Sequence, residues 1–295
     1  MLRLAAKILR YDARMLLSRD EMHFDVGATR FDLEKDKEIL AWIMSQALFG
    51  EATGCYCGAT LYTAPDIDAA TFLSRQAVEE FAHFRSFLKI FKILGTQPQP
   101  PNRVIKFLTG HERLWDHHVA LEMAVGEGLV LEAFYAMIDT IDHPEIKALL
   151  KATAHQEEGH TSFGEQRTIQ VLRETPGRRR QLLGRCLLSI QALKWLAPRV
   201  EKMVPKDHPV MKLLPSFLPH VIKNTELRLR RMGVLTEPLE NIGFVRRWAL
   251  IANGMFWAFA RGLFARSKPS IPETYLKDPM TARLLAGDVP EPVEA

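Results

Sequence analysis

The stretches "VEEFAHF" (residues 78–84) and "HQEEGH" (residues 155–160) carry one spacing, a glutamate followed three residues later by a histidine: Glu80-x-x-His83 and Glu157-x-x-His160. Both lie inside long segments of 3.6-residue apolar periodicity. On an α-helix, residues i and i+3 share a face, so each pair can reach one ion. Such a pair needs a further acid from the helix packed beside it. In an antiparallel helical hairpin, residues equidistant from the turn lie at one height. The turn "TAPDID" (63–68) falls midway between Glu51 and Glu80, and "DTIDHP" (139–144) midway between Glu127 and Glu157. Both arms are then about 15 residues, roughly 22 Å of helix. Matched arms place Glu51, Glu80, His83, Glu127, Glu157 and His160 at one level of a four-helix bundle.

The surroundings of the two lone acids favour this choice. Glu51 shares its face with Met44, Ala47, Leu48, Gly54, Cys55 and Gly58, and no other acid occurs between Glu38 and Asp66. Glu127 shares its face with Ala120, Met123, Ala124, Val130, Leu131, Phe134 and Ile138. An ionised carboxylate in such a stripe is costly unless it is paired or bound to a cation. Glu127 has rivals in Glu122 and Glu132, whose heights match the first hairpin less well. Glu79 and Glu158 read as flanking carboxylates. His117, His118 and His155 read as histidines at polar edges or caps. Gly126 and Gly128 flank Glu127 and disfavour regular helix, which leaves two readings open: close helix packing, or a π-bulge that lets Glu127 move. Cys55, one turn after Glu51, is placed at a substrate cavity or in simple packing.

The rest of the chain reads as helical too. Strand-type alternation and hairpin turns are scarce. Helices are predicted over 33–62, 68–94, 113–140 and 144–173, then over 178–204, 209–232 and 239–265, with Pro215 and Pro219 kinking or splitting the sixth. The organisation that follows is an arm (1–35), a bundle (36–175), a helical extension (176–266) and a tail (267–295). A hydrophobic share of 47% suits a globular chain, and a net charge of +4 is too weak to name a nucleic acid as partner. Three cysteines without a zinc-type C-x-x-C, and an N-terminus broken by Arg3, Lys7, Arg10, Asp12 and Arg14, point to a reduced, cytoplasmic setting without a secretion signal. The apolar run from Trp248 to Ala260 is too short to span a bilayer. It reads as a core helix, with peripheral membrane contact through 244–268 as the second reading.

The pattern Glu51, Glu80-x-x-His83, Glu127, Glu157-x-x-His160 resembles the ferritin-like non-haem di-iron carboxylate proteins over about residues 36–173. That group includes multicomponent monooxygenases, desaturases, N-oxygenases, the small subunit of ribonucleotide reductase, rubrerythrins and a tRNA hydroxylase. The resemblance implies an all-α, ferritin-like four-helix bundle with additional C-terminal helices. It also implies two iron ions, or a manganese–iron pair, with O2 as co-substrate. Glu51, Glu80 and His83 would hold one ion and Glu127, Glu157 and His160 the other, with two glutamates bridging.

Departures narrow the expectation. Phe87 stands where the reductase subunit carries its radical tyrosine, and Leu131 where the methane and toluene monooxygenases carry a threonine. Glu79 and Gln156 replace the aspartates that in many members orient the histidines across the site. No rubredoxin-type C-x-x-C pair is present. The function expected is O2-dependent hydroxylation, desaturation or N-oxygenation of an organic, apolar small molecule, with electrons from a ferredoxin or reductase, in a homodimer. The alternatives are metal handling, as ferroxidase, store or sensor, and tRNA hydroxylation.

Overall fold

The computed structural model describes residues 14–101, 103, 114–203, 206–264 and 279. The predicted tail (267–295) and most of the N-terminal charge pattern therefore lie outside the described residues, except for Pro279 alone. Among the described residues every element longer than one bridge is helical. The exception is an isolated contact between Phe31 and Ile141.

A short α1 (Arg19–Met22) is capped by Ser18, which exchanges hydrogen bonds with Glu21. Next, α2 (Lys37–Gly54) begins four residues later than predicted. The Asp32 carboxylate accepts from the amides of Glu34 and Lys35 and holds 33–36 as a turn. The predicted first helix also ends early as α-helix: Cys55–Thr63, "CYCGATLYT", tightens into a 3-10 segment. Its small and β-branched residues offer little α-propensity. Asp66 caps α3 (Ile67–Leu94) by accepting from the Ala69 amide, and Gly95 closes it in the left-handed region, at φ 61°.

The third predicted helix is not uniform. After the single turn α4 (Trp115–His117), residues His118–Glu127 are π-helical, and regular α5 (Gly128–Thr140) resumes at Gly128. A long α6 (Pro144–Glu174) follows, with proline at its first position. The extension comprises α7 (Arg179–Met203), α8 (Val210–Arg231) and α9 (Phe244–Phe264). No split occurs in α8, which is one continuous helix through Pro215 and Pro219. Residues 239–241 form a 3-10 turn and not the start of the last helix.

Packing makes two hairpins, α2 with α3 and the π segment plus α5 with α6, joined through α3 against α6. All four contribute to one apolar cluster, represented by Met44, Phe87, Phe134 and Leu150. A second cluster, with Phe72, Met123 and Phe163, lies toward the other end of the same helices. Phe72 and Phe163 stack there with ring centroids 3.8 Å apart. In the extension, α9 packs on α7 and α8 reaches back to α5 and the π segment. No helix among the described residues is long and apolar enough to cross a membrane.

Candidate metal centre

Between the two apolar clusters lies one polar level. Glu51 comes from α2, Glu80 and His83 from α3, Glu127 from the end of the π segment, and Glu157 and His160 from α6. All except Glu127 are buried to 4% exposure or less, and the Glu127 side chain is 17% exposed. The His83 Nδ1 lies 3.0 Å from Glu51 Oε2, 3.0 Å from Glu157 Oε1 and 3.8 Å from Glu80 Oε2. The His160 Nδ1 lies 3.2 Å from Glu157 Oε2, 3.5 Å from Glu80 Oε1 and 3.9 Å from Glu127 Oε2.

Two ligand groups result, Glu51, Glu80, His83 and Glu157 on one side and Glu80, Glu127, Glu157 and His160 on the other, each with donor atoms within 4.8 Å of one another. Glu80 and Glu157 belong to both. The six residues matched by height from the sequence are thus brought together, and the choice among the acids of the third helix falls on Glu127. Glu132 instead lies against α8, where its Oε2 accepts from Asn224 at 3.0 Å. Glu122 pairs with His118, one turn before it.

Each histidine is turned by a residue of the opposite hairpin. His160 Nε2 donates to Glu79 Oε2 at 2.8 Å, and His83 Nε2 donates to Gln156 Oε1 at 2.8 Å. Glu79 and Gln156 are the residues immediately before Glu80 and Glu157. With Nε2 so engaged, both rings aim Nδ1 at the carboxylates. Glu158, by contrast, points away, taking Arg19 at 2.6 Å and Tyr135 at 2.7 Å. His155 is solvent-exposed beside it. His117 and His118, read as edge histidines, are buried instead, outside both ligand groups. Burial pushes the His117 imidazole down to about 4.

Sequence reasoning missed Gln76. It is 1% exposed, one turn before Glu80 on the same face, and its Nε2 donates to Glu127 Oε1 at 2.8 Å and to Glu80 Oε1 at 3.3 Å. The i−4 spacing from Glu80 is the signal that could have found it. Gly54 was noted only as a small neighbour of Glu51. A Cβ there would lie 2.4 Å from Glu80 Oε2, so only glycine leaves that carboxylate its place. At Gly128 the two readings merge: π-helix ends at Glu127, and a Cβ on Gly128 would lie 2.4 Å from the buried Arg228 guanidinium. Arg228 comes from α8 and pairs with Glu165 of α6 at 2.9 Å, fully inside the protein. Cys55 is half-buried near the site, its thiol pushed up by burial and by Glu80 and Glu51.

Burial and carboxylate–imidazole pairing set the electrostatics of the cluster. Burial, against the pull of His83, pushes Glu51 up to about 8. Burial likewise lifts Glu127 well above the carboxylate range, against His160. Against their own burial, both imidazoles are raised: His83 by hydrogen bonds with Glu157, Glu51 and Glu80, and His160 by Glu157 and Glu127. Glu157, though buried, is held down at about 2 by His160 and His83. Protons therefore fill the role of positive charge here. Four carboxylates with two neutral imidazoles carry four negative charges, which two divalent cations would cancel. Glu127 Oε2 is buried without a hydrogen-bond partner, a carboxylate oxygen with capacity for a ligand bond.

Comparison of the chain with protein-family models, with curated proteins and with solved structures yields no match.

Proposed function

We propose that this protein is a ferritin-like, O2-activating di-metal carboxylate oxidoreductase, holding two iron ions or a manganese–iron pair and acting on an organic, apolar small molecule. The observation that carries this reading is the sharing of Glu80 and Glu157 between two buried ligand groups. Two carboxylates common to two groups suit a pair of cations, where a single ion would need only one group. The donor set fits: oxygen and imidazole nitrogen suit iron and manganese, and no thiolate is among them.

When bound, the metal pair supplies the electrons and Lewis acidity that activate O2. The chain's own residues do the rest. Glu51, Glu80, His83 and Glu157 would hold one ion, and Glu80, Glu127, Glu157 and His160 the other. Glu79 and Gln156 hold the imidazole rings in the ligating orientation. Gln76 steadies Glu127 and Glu80 through its amide. The apolar layers above and below exclude water. The π turn carrying Glu127 leaves that carboxylate latitude to shift as charge at the site changes. A ferredoxin or reductase is the proposed electron source.

The test is anaerobic reconstitution with ferrous iron, metal analysis, and exposure to O2 under optical observation. Two irons per chain with an O2-dependent visible transient, both lost in Glu80→Ala, are expected. Less than half an equivalent of transition metal would sink the reading. Uptake of many irons per chain that oxidise and accumulate as ferric mineral would make the protein a metal store.

A further inference from the structure

The last helix presents an apolar row to solvent. Along α9, Val245, Ala249, Ala252, Phe256, Phe259 and Leu263 recur at alternating steps of four and three residues, the seam period of paired helices. All six are exposed, Val245 by 80%, Phe256 by 60%, Phe259 by 66% and Leu263 by 61%. The opposite face is sealed against α7. There Gly184 and Gly254 approach so closely that a Cβ on Gly254 would lie 2.8 Å from the Gln181 carbonyl oxygen. The row is therefore not the core face of this helix. It is a second apolar face, and Arg246 at its margin is already paired with Glu237.

The order of side-chain sizes says what covers it. The row is symmetric about Gly254: Val245 and Leu263 lie equally far from it, as do Ala249 and Phe259, and Ala252 and Phe256. An antiparallel copy of the same helix, centred there, sets Val245 against Leu263 of the partner subunit. It sets Ala249 against the partner's Phe259, and Ala252 against the partner's Phe256. The two small residues meet aromatic rings, the large-on-small interlock that lets helices pack closely. A bilayer surface would reward bulk along the row but asks for no match between its two halves. Its two phenylalanine rings, 60% and 66% exposed, offer on the order of 200–300 Å² of aromatic surface. With Val245, Leu263 and the two alanines the row comes to on the order of 600 Å² per partner, the lower end of specific interfaces.

We infer that α9 is a homodimer interface: two copies of this chain pair the exposed rows of their α9 helices antiparallel, about a two-fold axis at the height of Gly254. The inference is independent of the metal-site reading.

Light scattering on the full chain, over a range of concentrations, tests it. The wild type is expected at twice its 33.6 kDa chain mass. Ala252→Glu and Phe256→Lys should each raise the dimer dissociation constant at least about thirtyfold, the effect of a central contact residue. Both positions are exposed, so the helical circular dichroism should not change. An equimolar mixture of the two variants should dimerise again, because the introduced carboxylate of one chain then faces the introduced ammonium of the other. A monomeric wild type, variants that stay dimeric, or a mixture that stays monomeric overturns the pairing. A monomer that sediments with phosphatidylserine vesicles overturns it in favour of a lipid surface.

Discussion

His160 Nε2 lies 2.8 Å from Glu79 Oε2, across the interface between the two hairpins. The carboxylate accepts the ring proton, so the other nitrogen is left facing Glu157, Glu80 and Glu127. Glu79 is itself steadied by Arg75 at 3.3 Å, and the histidine it orients belongs to the opposite hairpin. The hairpins are therefore coupled through the site as well as through the apolar layers.

Removing that acceptor should loosen metal binding without dissolving the fold. Glu79→Leu is expected to weaken affinity by about tenfold to a hundredfold, the usual cost of losing a ligand's supporting hydrogen bond. Glu79→Gln keeps an acceptor and should lose less. Competition against a chromogenic chelator measures both, and equal affinity for wild type and Glu79→Leu would count against the assignment.

Gly54 makes a sterically simple probe. Its alanine variant adds a methyl where Glu80 Oε2 now lies 2.4 Å away, so Glu80 must swing aside. Since Glu80 is common to both groups, Gly54→Ala should depress both metal equivalents, by more than about tenfold in affinity. Helicity should be retained. Metal analysis after equilibrium dialysis reads the result; full occupancy in the variant would show that Glu80 is not needed where it stands.

Metal loading should release protons. Below about 8 the metal-free Glu51 is protonated, Glu127 and both histidines hold protons more strongly than usual, and a bound cation must displace them. Near pH 7, up to about four protons should appear per pair of ions, one each from Glu51, Glu127, His83 and His160. Affinity should rise with pH through about 8, where Glu51 loses its proton, and the other raised groups keep it rising beyond. A pH-stat titration follows the release directly, and loading without proton release would contradict the buried, protonated site.

Away from the metal centre, Glu132 offers a stability test. Burial, against the hydrogen bond from Asn224, pushes its carboxyl up to about 7. The unfolded chain loses this proton in the ordinary carboxylate range while the folded chain keeps it, so the folded state binds more protons between those limits. Stability from this group therefore falls as pH rises toward about 7 and is flat above it. Glu132→Gln should match the wild type near pH 5 and exceed it near pH 8 by on the order of 3 kcal/mol. Urea unfolding of the metal-free proteins at both pH values decides; a constant difference would refute the account.

The helical class, the two hairpin turns and the heights of the six residues were legible in the sequence because each depends on short-range regularities. The i, i+3 spacing sets a face, Pro65 and Asp66 break a helix, Gly95 closes one, and equal arm lengths align two others. The helix that carries Glu127 was legible only as a suspicion, in two glycines. The close approach of Arg228, a hundred residues later in the chain, to Gly128 was not legible there. What only the tertiary structure decided depends on contacts between elements far apart in sequence. These are the sharing of Glu80 and Glu157, the crossing of Glu79 and Gln156 to the opposite histidines, and the reach of Gln76 to Glu127. The exposed face of α9 belongs here too: its period is written in the sequence, but α9 carries apolar residues on both sides. Until α7 took one face, nothing local could say which was left to water.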